Sequence, residues 1–180
     1  MSYDQQFERD LVDAVGGRFY GKYRARVHAN VDPHNRGRLQ VIVDGILNDV
    51  PVWALPCVPF AGPEVGMYFL PEPDTLVWVE FEGGDLKRPI WTGCFWKSNE
   101  LPSGSTANRR FLKTKEFTLE FDDDAGTLTI SASGGGAKIT LTRNQVQLEA
   151  AGDITSKVGA RKTALSVKNF DVHDGALEVT

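Results

Sequence analysis

The stretch KYRARVHANVDPHNRGRLQVIV, residues 22–43, decides the fold, because it contains two alternating runs separated by a cluster of turn residues. Alternation of apolar and polar residues is typical of β-strands that cover a core with one face. The second run is Leu39–Val43, and the turn residues lie in Asp32–Gly37. In the first run the apolar residues are Tyr23, Ala25 and Val27, and the basic residues, here called the basic stripe, are Lys22, Arg24 and Arg26. The stretch therefore predicts two strands with a shared apolar inner face and a basic outer face on the first.

Three further segments have strand character: Val50–Val58, Thr75–Phe81 and Pro89–Phe95. The prolines in the first of them suit an edge or a bend, and a turn at Glu82–Asp85 separates the other two. Five strands punctuated by turns are typical of a small closed barrel of the OB type. The sequence therefore predicts a mainly β protein with a five-stranded OB-type barrel over residues 19–97.

Helical periodicity is confined to the start of the chain, where a short helix is predicted over residues 1–18. Its apolar residues recur at helical spacing before a pair of glycines. These residues are Phe7, Leu11, Val12 and Val15. After the barrel, the polar stretch Leu101–Asn108 has the composition of a flexible linker. The linker is assigned to residues 98–112, and the domain boundary is expected there.

Residues 113–180 form a tail that differs in kind from the barrel. Short alternating apolar runs recur between turns of Gly, Asp, Asn and Ser. Each short strand has one apolar face that nothing within its own segment is large enough to cover. The strands are therefore expected either to stack as a solenoid or to share a core with other copies of the chain. The residues expected in that core are Leu119, Phe121, Leu128, Ile130, Ile139, Leu141, Val146 and Leu148.

The bulk composition limits the class of protein. The chain has 180 residues, of which 41% are hydrophobic, and a formal net charge of −4. It can form a core, while the acidic balance argues against binding of nucleic-acid phosphates as the main task. Only the basic stripe favours an OB-type protein that binds single-stranded nucleic acid. Cys57 and Cys94 are interpreted as two buried thiols.

The sequence contains no recognisable catalytic constellation. His28, His34 and His173 are isolated from one another, and their spacing forms no set with a nucleophile or paired carboxylates. The acidic run Asp122–Asp124 lacks the further spaced ligands of a calcium loop, and a solvated turn is the better interpretation. We therefore expect no enzyme activity and no cofactor.

Several motifs follow one another in order through the barrel region. They are Val31-Asp32-Pro33, Arg36-Gly37-Arg38-Leu39-Gln40-Val41, Val52-Trp53-Ala54, Pro59-Phe60-Ala61-Gly62-Pro63, Gly66-Met67-Tyr68-Phe69-Leu70-Pro71-Glu72, Val77-Trp78-Val79-Glu80-Phe81 and Gly84-Asp85-Leu86-Lys87-Arg88-Pro89-Ile90-Trp91-Thr92-Gly93. With their order and spacing, residues 20–97 resemble the phage baseplate assembly protein V family and the related OB domain of VgrG-type spikes in type VI secretion. The tail from Phe117 onward is similar to the triple-stranded β-helix of the same spikes.

The resemblance implies a homotrimer at the centre of a baseplate. The barrel is then expected beneath the tube and a separate hub protein, and residues 113–180 are expected to form an intertwined trimeric β-helix that points at a target membrane. The basic stripe is expected to contact an acidic face of the hub. Some members of the family carry a lysozyme domain between barrel and stalk, whereas only the short linker stands there in this sequence.

The end of the chain is expected at the tip of the needle. Related injection spikes carry a small separate cap of the PAAR type, and the residues expected to contact such a cap are Leu177, Val179 and Thr180. Related phage spikes end instead in a His-x-His pair that binds iron on the three-fold axis. In this sequence Asp171 precedes His173 and Gly175 follows it. His173 is thus a weak candidate for a metal at the tip, and the separate cap is the favoured expectation.

Together these features predict a structural, non-enzymatic central spike protein. It would form the membrane-puncturing trimeric needle of a contractile tail baseplate or injection system. It would be assembled in the cytoplasm of the producing cell and located in the baseplate of a phage virion or a contractile injection particle. The alternative is an OB-fold protein that binds single-stranded nucleic acid and carries a β-solenoid extension.

Overall fold

The computed structural model describes residues 16–172 and 177–179. Most of the helix predicted over residues 1–18 lies outside this range, as do His173 and Thr180. The chain divides into two compact units between Leu101 and Pro102. Both units consist of β-strands and short turns, and no α-helix occurs within the described residues.

The first unit is a closed five-stranded barrel, which confirms the mainly β prediction for this part of the chain. Counted around the barrel, each strand pairs with the next, and the last pairs with the first and closes the barrel. All of these pairs are antiparallel except the one between the third and the fourth strand in this order, which is parallel. The strands of the unit are β1 (Tyr23–Ala29), β2 (Leu39–Val43), β3 (Val52–Pro56), β4 (Ala61–Gly62), β5 (Val65–Gly66), β6 (Leu76–Phe81) and β7 (Pro89–Cys94). The barrel order is β1-β2-β3-β7-β6, and β4 and β5 form a separate small hairpin. Short 3-10 turns occur at Leu47–Asp49 and Glu82–Gly84.

The core of the barrel is formed by alternate residues of its strands. In β1, Ala25 and Val27 are fully buried, whereas Arg24 and Arg26 point outward. Burial of an aliphatic side chain contributes roughly 1.5–3 kcal/mol, so the inner faces supply most of the stability of the barrel. The buried core residues are Ala25, Val27, Leu39, Val41, Val43, Ala54, Val77, Val79, Phe81 and Trp91.

The turn between β1 and β2 is organised by one buried carboxylate. The side chain of Asp32 is only 3% exposed, and it accepts hydrogen bonds from the backbone N–H groups of His34, Arg36 and Arg38 at 3.0, 2.8 and 3.3 Å. The Arg38 guanidinium donates to the same carboxylate, with Nη2 2.7 Å from Oδ1, and lies 5.1 Å from the centre of the Trp53 ring. The hydrogen bond from Arg38, together with those from the backbone, holds the pKa of Asp32 well below its ordinary value.

The second unit contains two antiparallel sheets in which each strand pairs with its neighbour in sequence. The strands of the first sheet are β8 (Arg109–Lys113), β9 (Phe117–Asp122), β10 (Thr127–Ala132), β11 (Ala137–Leu141) and β12 (Val146–Ala150), with a 3-10 turn at Ser133–Gly135. The strands of the second sheet are β13 (Ile154–Val158), β14 (Arg161–Leu165), β15 (Phe170–Val172) and β16 (Leu177–Val179). The intertwined β-helix predicted for residues 113–180 involves other copies of the chain, and it stays a prediction.

Two details differ from the sequence-based expectations. Residues 109–112, which were assigned to the linker at 98–112, belong to strand β8 (Arg109–Lys113) because they pair in register with β9, where Leu112 lies opposite Leu119. Cys57 and Cys94 are exposed residues rather than buried ones. Cys57 follows the last residue of β3 and Cys94 is the last residue of β7, so both lie where the chain leaves the barrel.

Candidate functional site

All eight residues predicted for a shared core lie on one face of the sheet β8–β12. Residues directly opposite each other in an antiparallel sheet point to the same side, so the register identifies the face. Leu119 pairs with Ile130, Phe121 with Leu128, Ile139 with Leu148, and Leu141 with Val146, while Ile130 also pairs with Ile139 and Leu128 with Leu141. The strands β9–β12 thereby form one continuous apolar surface, here called the tail face.

The tail face is largely uncovered. Val146 is 66% exposed and Ile130 43% exposed, and Phe121, Ile139 and Leu148 are exposed as well. Within the described part of the chain, the only buried hydrophobic residue after residue 101 is Ala164. Contiguous apolar surface of this kind marks a site of interaction with another protein surface or a membrane. The second unit thus has ordered strands without a core of its own.

The opposite face of the same sheet is polar, and most of its charges are paired. Arg109 forms ion pairs with Glu120 at 2.6 Å and with Asp122 at 3.3 Å, and Lys138 lies 4.0 Å from Glu149 across β11 and β12. The hydrogen bond to Glu120 raises the pKa of Arg109. This difference indicates that the polar face remains in solvent and that the apolar tail face is available for burial.

The basic stripe lies on the outside of the barrel, at the start of β1, as predicted. Lys22 forms an ion pair with Glu80 of β6, and Arg26 forms one with Asp74, whose carboxylate oxygen lies 2.9 Å from the Arg26 guanidinium. Antiparallel pairing of β1 with β6 brings these acidic residues next to the stripe. Two of its three positive charges are therefore partly neutralised within the chain.

The third member of the stripe, Arg24, stacks on aromatic rings. Its guanidinium carbon lies 5.3 Å from the centre of the Trp78 ring and 5.0 Å from that of Phe95. These two rings are themselves 4.5 Å apart. The cation–π contacts orient Arg24 along the outer wall of the barrel.

The barrel also carries an exposed apolar segment, to which the sequence analysis gave no strand and no functional role. Several large side chains around the β4–β5 hairpin point to solvent, and all of them except Phe60 line a groove of about 580 Å³ together with Gly37 and Trp91. The segment lacks alternation, so no periodic pattern identified it. Apart from the motifs of the family resemblance, its sequence signal is the number of large apolar residues between prolines. The exposed residues are Phe60, Val65, Met67, Tyr68 and Phe69.

Of the residues predicted at the tip, only Leu177 has a described side chain, and it is exposed. Val179 pairs through its backbone with Phe170, while Thr180 and His173 lie outside the described residues. No group of three or more His, Cys, Asp or Glu side chains is arranged to hold a metal ion in the part of the chain that is described.

The acidic turn after β9 is tied to the chain by hydrogen bonds. Asp123 pairs with Arg110, and Asn108 donates to Asp124 at 2.7 Å. Asp122 accepts a hydrogen bond from the backbone N–H of Ala125 at 2.9 Å. These contacts support the interpretation of the turn as a structural, solvated one.

No helix among the described residues has the length and hydrophobicity needed to cross a lipid bilayer. The comparison with curated proteins finds no match to this chain. The family model of the type VI secretion system/phage-baseplate injector OB domain matches residues 23–96. This range begins with the first residue of β1 and ends two residues after the last residue of β7, so it covers all five strands of the closed barrel. The barrel of this chain is therefore similar to the type VI secretion system/phage-baseplate injector OB domain.

Proposed function

We propose that the chain is the central spike protein of a contractile tail baseplate or injection system, in which three copies form a membrane-puncturing needle. Two features support this proposal. The barrel matches the family model of the injector OB domain, and the following sheet carries an apolar tail face that the chain leaves uncovered. The uncovered tail face carries the proposal, because it shows that the tail lacks a core of its own.

Other copies of the chain supply the cover that the tail face needs. Burial of the remaining exposed part of one large apolar side chain contributes on the order of 1 kcal/mol. Eight such residues per chain, summed over three chains, outweigh the entropy lost on association. Three tail faces that meet on one axis form a shared core, and the polar face with its paired charges remains in solvent. This arrangement is the intertwined trimeric β-helix proposed for residues 113–180.

The proposed function is mechanical and does not require catalysis. Continuous strand pairing between interwound chains provides no hinge, so bending the stalk requires disruption of the shared core. Force from the contracting tail then passes through the barrel to the tip. We propose a hub protein above the barrel that contacts the basic stripe, a separate PAAR-type cap at Leu177, Val179 and Thr180, and transient contact with the target membrane.

The proposal predicts the mass of the purified protein. Light scattering coupled to gel filtration should give a mass of about three chains at all accessible concentrations, since the tail face is buried only in the assembly. The mass of one chain is 19.8 kDa. A stable, folded species of that mass would contradict the proposal that the chain forms a trimeric spike.

The alternative function, binding of single-stranded nucleic acid, predicts a different result. We expect no electrophoretic shift of single-stranded DNA below micromolar protein at moderate salt, because Lys22 and Arg26 already pair with carboxylates. A basic single-strand-binding OB protein of known affinity serves as the positive control. Tight binding that weakens steeply with added salt would favour the nucleic-acid function over the spike.

A further inference from the structure

Two lysines face each other in the second sheet of the tail. In the β13–β14 hairpin, here called the lysine hairpin, Lys157 lies directly opposite Lys162, and Val158 lies opposite Arg161. Like charges at directly opposite positions of an antiparallel pair are destabilising. The fold therefore retains a local repulsion at this position.

The corresponding arrangement in the first sheet is attractive. Lys138 lies directly opposite Glu149, and their charged groups are 4.0 Å apart. Strand length and antiparallel geometry are the same in the two hairpins, with five residues in every strand. The repulsion in the lysine hairpin is thus a property of its residues and not of the architecture.

Among the side chains that the structure describes, no counter-charge pairs with these lysines, and Asp171, which lies opposite Ala164, shares their face of the sheet. Residues 157–168 include Lys157, Arg161, Lys162 and Lys168 but no acidic residue, and the nearest acidic residues along the chain are Asp153 and Asp171. Among the described residues, none of the four forms an ion pair. Lys157, Arg161 and Lys168 are exposed, and Lys162 is half-buried.

The register also separates the lysine pair from the apolar residues of the same sheet. Ile154 pairs with Leu165, which pairs with Phe170, and these residues share a face with Val158. Lys157 and Lys162 alternate with them and lie on the other face. If the apolar face enters the shared core proposed above, the lysine pairs of three chains lie on the outside of the needle. The inference rests on the proposed function in this respect.

We propose that the lysine hairpin binds the anionic head groups of a phospholipid membrane. Each lysine close to a negatively charged membrane surface strengthens binding of the protein to that membrane roughly fivefold. A phosphate placed between Lys157 and Lys162 converts their repulsion into attraction to a common anion.

A membrane explains these residues better than a nucleic acid does. Proteins that bind single strands combine basic side chains with aromatic rings on which bases stack. Residues 157–168 contain no aromatic residue, and Phe170 lies on the opposite face from the lysine pair. Nucleic-acid binding is therefore an outcome of the test and not the proposal.

The test measures co-sedimentation of the full chain with vesicles. We expect binding to phosphatidylcholine vesicles that contain phosphatidylglycerol and none to vesicles of phosphatidylcholine alone. Lys162→Gln should weaken binding about fivefold or more, whereas Lys138→Gln, which removes the same charge from the first sheet, should leave it unchanged. Equal loss in the two variants, or no binding of the unmodified protein to the anionic vesicles, would overturn the proposal.

A second variant excludes a purely structural effect. Lys162→Glu recreates the Lys–Glu pair of the first sheet, so it should raise the melting temperature while it abolishes vesicle binding. Loss of both stability and binding would overturn the proposal, as would displacement of the protein from vesicles by an equivalent concentration of single-stranded DNA phosphate. The mass of each variant is measured in parallel. If the unmodified protein is a trimer that does not bind vesicles, only the membrane proposal is refuted. If it is a monomer, the proposed spike function is refuted.

Discussion

Replacement of Ile130 or Leu141 by aspartate should abolish the trimer. Both residues lie on the tail face, paired with Ile139 and Leu128, respectively. In the proposed assembly each substitution places three carboxylates in one shared core. An unpaired charge in such a core costs roughly 3–5 kcal/mol, and three like charges on one axis also repel one another. Light scattering should show the loss as monomers or as disordered aggregate.

The matched control is Ser131→Asp. Ser131 is adjacent to Ile130 in β10 but lies on the opposite face, directly across from Lys138. A carboxylate there meets a positive charge in solvent, so the trimer should persist with its mass unchanged. If Ile130→Asp and Leu141→Asp remain folded trimers while Ser131→Asp dissociates, the opposite face forms the interface.

Replacement of Asp32 by alanine should have the largest effect on the barrel. The change leaves the Arg38 guanidinium and the N–H groups of His34 and Arg36 without the acceptor that they now share. Loss of one partner of a buried, hydrogen-bonded ion pair is strongly destabilising, so we expect a drop in melting temperature on the order of 10 °C. The measurement is thermal unfolding followed by near-ultraviolet circular dichroism.

An exposed ion pair of the same barrel provides the control for Asp32. Asp74 pairs with Arg26 at 2.9 Å, but its side chain is 80% exposed. Exposed pairs contribute little, so Asp74→Ala should change the melting temperature only slightly. Similar losses in the two variants would mean that burial of the Asp32 carboxylate has no special role in the turn.

The stability of the barrel should also depend on pH through Asp32. Because Arg38 and the backbone lower the pKa of this carboxyl group in the folded state, folding favours its ionised form. The resulting stabilisation is fully present above the pKa of the unfolded chain, near 4, and is lost as the pH falls below it. Between neutral pH and strongly acidic pH, the Asp32→Ala variant should therefore lose less stability than the unmodified protein.

Alternation in the sequence was sufficient to predict the barrel strands and their inward residues. Ala25 and Val27 are buried and Arg24 and Arg26 are outside, because the side chains of a strand alternate between its two faces. The same rule predicted the eight apolar residues of the tail, whose placement on one face follows from regular pairing between consecutive strands. Local pattern is reliable in both places because the face on which a strand residue lies depends only on its position along its own strand.

The partners of individual charged residues could not be predicted in this way. Lys22 meets Glu80, and Arg26 meets Asp74, which are 58 and 48 residues away in the chain. Closure of the barrel by pairing of β1 with β6 creates these contacts, and a single sequence contains no periodic signal for them. The exposure of the apolar segment around the β4–β5 hairpin was not predicted for a related reason, because irregular loops have no periodic pattern of apolar residues.

The sequence by itself therefore determined the strand content, the inner face of the barrel and the apolar character of one side of the tail, because each depends only on residues close together in the chain. Tertiary structure alone decided which charges are paired. It neutralised much of the basic stripe, buried the carboxylate of Asp32 and placed Lys157 opposite Lys162. The physical reason is register, because a shift of one residue between two strands exchanges the face of every side chain and the partner of every charge.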